Sequence, residues 1–94
     1  MQLQTSDATA IVRIARAHGA TEVRLFGSRA SDEATEDSDI DLLVTMSPGR
    51  SLLDLVAIKQ DIEDALGVHT DVFTAAALSP YLRDKILADA ILLG

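Results

Sequence analysis

The sequence predicts an α/β (α+β) fold, a small mixed β-sheet flanked by helices, and three observations predict it. Short apolar runs at 22–26, 40–45 and 68–73 have strand length and are bounded by turn residues. Around them stand longer segments whose apolar residues recur at helical spacing, with Ser, Gly or Pro at their ends. The resulting order is helix, strand, strand, helix, strand, helix. No repeat, low-complexity tract or Pro-rich linker interrupts it, so the 94 residues read as one small domain with a single core.

Taken in order, residues 1–5 precede any pattern and are expected to be disordered. Ser6 or Asp7 can cap a helix that runs to about His18, with Ile11, Ile14 and Ala15 as its inward stripe and Gly19 as its stop. The first strand is Glu22 to Phe26. After Gly27-Ser28 the spacing allows a short helical turn from Arg29 to about Glu33, and an acidic stretch then leads to the second strand at Ile40 to Thr45. Ser47-Pro48-Gly49-Arg50 breaks the chain. A helix from Leu52 to Leu66 presents Leu55, Ile58, Ile62 and Leu66 at helical spacing and ends at Gly67. The third strand follows at Val68 to Phe73. The last helix has Ser79 as cap and Pro80 at its first position, and gives way to Ile91-Leu92-Leu93.

The chemistry lies where these strands end. Gly27 permits a tight turn and close approach of a phosphate, and Ser28 offers an N–H and a hydroxyl to its oxygens. Asp39 and Asp41, at i and i+2 of a strand, share one face while Ile40 and Leu42 turn into the core. Two carboxylates held this close repel, which makes physical sense as a site for Mg²⁺, a hard cation that prefers oxygen ligands. Asp71 is a charge inside an apolar strand, on the face of His69 and Phe73, and its strand could bring it to the same metal ions.

Each feature has a plainer reading. A Gly-Ser pair alone is usually only a turn, and Asp-x-Asp alone is common. Asp32, Glu33, Glu36 and Asp37 read as a solvated loop edge. His18 reads as a helix-end polar residue, His69 as a hydrogen-bonded strand histidine, and Arg83 and Lys85 as surface charges. The conjunction decides: a Gly-Ser turn after one apolar strand, paired acids opening the next and an isolated acid in a third is hard to produce for structural reasons alone.

The pattern Leu25-Phe26-Gly27-Ser28-Arg29-Ala30, then Ser38-Asp39-Ile40-Asp41-Leu42-Leu43-Val44, with a later strand aspartate, resembles the DNA polymerase β nucleotidyltransferase superfamily. Within it, the chain is similar to the minimal nucleotidyltransferases (MNT), antitoxins paired with HEPN-domain ribonuclease toxins, over nearly its whole length. The resemblance implies a polymerase β-type fold, ATP as cosubstrate, two Mg²⁺ ions, and transfer of AMP to a tyrosine of the toxin. It also assigns Asp39, Asp41 and Asp71 as catalytic metal ligands, Gly27 and Ser28 as the phosphate cradle and Arg29 as a phosphate clamp whose removal should impair turnover more than folding. One departure stands out. Relatives often carry a second basic residue two positions after that arginine, where this chain has Ser31 followed by Asp32 and Glu33.

Composition narrows the alternatives. Net charge is −7, Phe26, Phe73 and Tyr81 are the only Phe, Tyr or Trp residues, and no Lys/Arg cluster is present, so direct nucleic-acid binding is not expected. No cysteine is present, no apolar run approaches membrane-spanning length, and the first residues lack a secretory layout; a cytoplasmic location is the expectation. Two other functions fit less fully. An acidic chain could neutralise a basic ribonuclease groove by binding alone. A free-standing enzyme modifying a small hydroxylated compound would need an acceptor pocket, for which little chain remains.

Overall fold

The computed structural model describes residues 3–30 and 39–94. Its elements are α1 (Thr5–Ala17), β1 (Ala20–Phe26), a 3-10 turn (Gly27–Ala30), β2 (Ile40–Met46), α2 (Leu52–Leu66), β3 (Thr70–Thr74), a second 3-10 turn (Ala75–Ala77), α3 (Pro80–Asp89) and β4 (Ile91–Leu92). The sheet order is β3-β2-β1-β4, with β2 and β3 parallel and the other pairs antiparallel. It is the mixed sheet with helices that the sequence predicts.

Alternation along β2 builds the core. Ile40, Leu42 and Val44 are buried together with Val23 and Leu25 of β1, and Ile11 and Ala15 of α1 and Ile58 and Ile62 of α2 pack into the same cluster. The two helices therefore bury their stripes against one face of the sheet, and the residues alternating with that cluster on β2 and β3 point the other way. His18 Nε2 lies 2.7 Å from Asp61 Oδ2 and ties the end of α1 to α2.

Local chemistry explains the helix ends. At the start of α2, Ser51 Oγ accepts from the Leu53 N–H and the Ser51 N–H donates to Asp54 Oδ2, a reciprocal cap. The helix stops at Gly67, whose φ of +69° is the left-handed conformation a side chain disfavours. Ser79 Oγ accepts from the Leu82 N–H and caps α3, with Pro80 in the first turn.

Four expectations are revised. The sheet has four strands, because Ile91–Leu92 returns to pair antiparallel with Arg24 and Leu25. Beyond that pairing, Val23 N–H donates to Gly94 O and Leu93 N–H to Val23 O, each at 2.8 Å, so the chain end is held by backbone bonds that no local pattern announces. The third strand opens at Thr70, since residues 67–69 carry the chain out of the helix. At the other end, helix α1 already begins at Thr5 and Leu3 packs on the core, contrary to the disorder expected of residues 3–5; residues 1 and 2 lie outside the described residues. The first strand begins at Ala20, with a register irregularity between Ala20 and Glu22. The 3-10 turn spans Gly27–Ala30; its expected continuation to Glu33, and the acidic loop edge, lie outside the described residues. No described helix is long and apolar enough to cross a membrane.

Candidate active site

The site forms where β1 ends and β2 and β3 begin. Phe26 pairs with Asp41 across the antiparallel β1–β2 ladder, and Asp41 pairs with Asp71 across the parallel β2–β3 ladder. Residues level with one another on adjacent strands share a face, so Asp41 and Asp71 stand on the face opposite the buried cluster. Asp39 stands at the entrance to β2, where the Ile40 N–H donates to His69 O at 2.9 Å and locks the two parallel strands together. The rings of Phe26 and Phe73, 5.8 Å apart and tilted, form an apolar border on the same face.

The first turn fits tightly against these acids. Gly27 has φ of +77°, and a Cβ built there would overlap Asp41 Oδ2. Only a residue without a side chain lets the backbone approach that carboxylate. Ser28 lies in the same 3-10 turn; its hydroxyl is outside the described side chains. Arg29 follows, buried to 7% exposure and engaged by interactions of its own.

Electrostatically the site is crowded with negative charge. Partial burial raises the pKa of Asp41, and the neighbouring carboxylates of Asp71 and then Asp39 raise it further, against a lowering by His69. Ligand atoms of Asp39, His69 and Asp71 lie within 4.8 Å of one another, the spacing of donors that could share one ion, with Asp41 beside this group. Carboxylates that repel one another, with an imidazole beside them and open to solvent, are a donor set that could hold a divalent cation.

Two residues that sequence reasoning missed build the wall of the site. Lys59 and Glu63, one helical turn apart on α2, pair at 2.9 Å and together grip the first residue of β3. Glu63 Oε2 accepts the Thr70 N–H at 2.9 Å, and Lys59 Nζ donates to Thr70 O at 2.7 Å. The same Glu63 oxygen lies 3.0 Å from His69 Nδ1, while His69 Nε2 lies 3.4 Å from Asp71 Oδ1 and Lys59 Nζ lies 4.0 Å from it. His69 lies just before the strand, which opens at Thr70, and its ring joins the acid cluster through these charge contacts. The i,i+4 spacing of Lys59 and Glu63 was the available signal, but nothing local says that the pair faces a strand.

The chain is similar to known proteins. Residues 10–93 match the nucleotidyltransferase domain. A Methanocaldococcus jannaschii protein named as a candidate protein adenylyltransferase is 44% identical over 81 residues, which cover 86% of this chain and 87% of that protein. The solved structure of a protein described as a minimal nucleotidyltransferase superposes with a TM-score of 0.83 at 44% identity, covering 92% of this chain and 88% of the other. A chain from a Shewanella oneidensis complex of an MNT antitoxin with a tri-AMPylated HEPN toxin superposes with a TM-score of 0.76. At 19% identity, over 98% of this chain and 72% of the other, that likeness shows the shared fold.

Proposed function

The chain belongs to the nucleotidyltransferase domain family and is a nucleotidyltransferase, and from that premise we propose that it transfers AMP from ATP to a tyrosine hydroxyl of a partner HEPN ribonuclease toxin, acting as its antitoxin. The convergence of Asp39, Asp41 and Asp71 beside the Gly27 turn carries this reading. A similar protein named for protein adenylylation, and a similar fold in a complex with an AMPylated toxin, support the choice of acceptor. A reaction that consumes ATP for an intracellular toxin belongs in the cytoplasm.

In this reading Gly27 and Ser28 cradle the triphosphate with backbone N–H groups, and Arg29 meets charge on its oxygens. Asp39, Asp41 and Asp71 would hold Mg²⁺, which supplies charge neutralisation and a lowered pKa for the acceptor hydroxyl. Asp71 orients the acceptor hydroxyl and receives its proton. The acceptor oxygen bonds to the α-phosphorus, the α–β bridging bond breaks, and pyrophosphate leaves. Positioning and preorganised charge provide the acceleration, because little covalent chemistry is asked of the protein.

Intact mass of the HEPN partner, after incubation with this protein, ATP and Mg²⁺, tests the proposal. One or more added AMP masses are expected, and none with the Asp39→Asn/Asp41→Asn double variant. A second reading draws on the net charge of −7, which could mask a basic toxin groove by binding alone. Toxin inhibition that survives in the double variant, with no added mass in either sample, would establish it instead.

A further inference from the structure

The geometry points to Lys59 as a positioning residue that acts through Asp71: its ammonium holds the backbone from which Asp71 projects and stands as a fixed charge beside the Asp71 carboxylate. The catalytic consequence rests on the proposed reading, in which Asp71 orients the acceptor hydroxyl and receives its proton.

Lys59 is the one basic residue of α2, a helix that also carries Asp54, Asp61, Glu63 and Asp64. A lysine paired at i,i+4 on a helix surface ordinarily extends into water and contributes little. Lys59 turns to the sheet instead. Its Nζ donates to Thr70 O at 2.7 Å and to Glu63 Oε2 at 2.9 Å, and that Glu63 oxygen is itself held by the Thr70 N–H at 2.9 Å. Thr70 is fully buried, so its carbonyl is a rigid acceptor. Two hydrogen bonds to fixed groups pin the end of a side chain that is otherwise flexible.

The carbonyl that Lys59 grips belongs to the peptide leading into Asp71, and the pinned ammonium lies 4.0 Å from Asp71 Oδ1 as a charge contact. One side chain therefore fixes the peptide plane before Asp71 and attracts the carboxylate after it. A lysine that only closed the free edge of β3 would need the Thr70 carbonyl and no charge beside Asp71.

Sheet order separates this role from the nucleotide. Lys59 touches β3, whereas the Gly27–Ala30 turn leaves β1, on the far side of β2. Loss of the ammonium reaches the acceptor side of the reaction and leaves the triphosphate to the turn and Arg29.

Two variants of the full chain test this: Lys59→Met removes the donor and the charge and keeps the stem, and Lys59→Arg keeps all three. Carboxyl ¹³C resonances, recorded without nucleotide or partner, should show Asp71 displaced further than Asp39 in Lys59→Met and returned toward the parent position in Lys59→Arg. In the transfer assay with the HEPN partner, kcat should fall about tenfold or more in Lys59→Met, KM for ATP should stay within about twofold of the parent, and Lys59→Arg should recover turnover. An Asp71 resonance that does not move in Lys59→Met, a rise in KM for ATP with kcat unchanged, or a lost turnover that Lys59→Arg does not relieve would each overturn the inference. A Lys59→Met chain that fails to fold while Lys59→Arg matches Lys59→Met in turnover or stability would do the same and make Lys59 a structural brace. Because the Asp71 resonance is read without ATP or toxin, the expected displacement in a chain whose parent form transfers no AMP sinks the proposed activity alone. Transfer by the parent with Asp71 unmoved in Lys59→Met sinks this inference alone.

Discussion

Asp41 and Asp71 are register partners on adjacent parallel strands, so two carboxylates face the same side of the sheet at the same level. Like charges placed directly opposite destabilise a sheet. Asp41→Asn should therefore abolish transfer while leaving the metal-free fold unchanged or more stable by at most about 1 kcal/mol, the open site screening the repulsion. Thermal melts with and without Mg²⁺ check this: the parent should gain from the ion what the variant already has. A large loss of stability in the metal-free variant would make Asp41 a structural partner.

The raised pKa of Asp41 gives the same relationship a pH dependence. Burial comes first among the causes, then Asp71 and Asp39. A carboxyl that binds its proton more tightly folded than unfolded penalises the fold above its folded pKa. As pH falls through that raised value toward the unfolded value of 3.8, the penalty disappears. Without metal, the difference in melting temperature between Asp41→Asn and parent should shrink over this window. A difference that stays constant from neutral pH to below 4 would contradict the assigned causes.

How much of this was readable beforehand depended on whether the signal was local. Helix α2 was legible from Leu52 to Leu66 because its stripe and its Gly67 stop lie in one segment. Asp39, Asp41 and Gly27 were legible because turn chemistry and strand alternation act over a few residues. Strand β4 was not, since Ile91–Leu92 carries no alternation of its own and becomes a strand by pairing with Arg24 and Leu25. Likewise the strand start at Thr70 is set by Glu63 and Lys59 on the preceding helix. His69 drew notice for sharing a face with Asp71; its approach to Asp39 follows from the parallel register that the Ile40–His69 backbone bond fixes.

Gly27→Ala should damage both fold and site. Its φ of +77° strains any side chain, and the new methyl would meet Asp41 Oδ2. The backbone part costs about 1 kcal/mol or more, and the collision adds to it. Urea denaturation of a double-mutant cycle with Asp41→Ala separates the two. The cost of Gly27→Ala should fall in the Asp41→Ala background and persist in part, whereas an unchanged cost would mean that the two groups do not touch.

Glu63 predicts the opposite acid behaviour from Asp41. The Thr70 N–H, and then Lys59, hold its carboxyl below the ordinary value of 4.5. Its contribution to stability is therefore present above 4.5 and lost as pH falls through the lower folded value. Glu63→Gln should flatten the acid limb of the melting profile, lower stability at neutral pH, and loosen the start of β3 as seen by faster hydrogen exchange at the Thr70 amide. Unchanged exchange at Thr70 would remove Glu63 from its positioning role.

Arg29 separates binding of charge from packing. The sequence alone suggests that its loss impairs turnover more than folding, but a side chain only 7% exposed and engaged by neighbours contributes packing as well. Arg29→Ala should therefore lose stability together with turnover, while Arg29→Met, which keeps most of the volume, should fold better and still transfer AMP about 10²-fold more slowly. Chemical denaturation paired with the mass assay reads both effects. If Arg29→Met restores transfer to the parent rate, the guanidinium serves the fold alone, and the charge on the triphosphate must be met by another group.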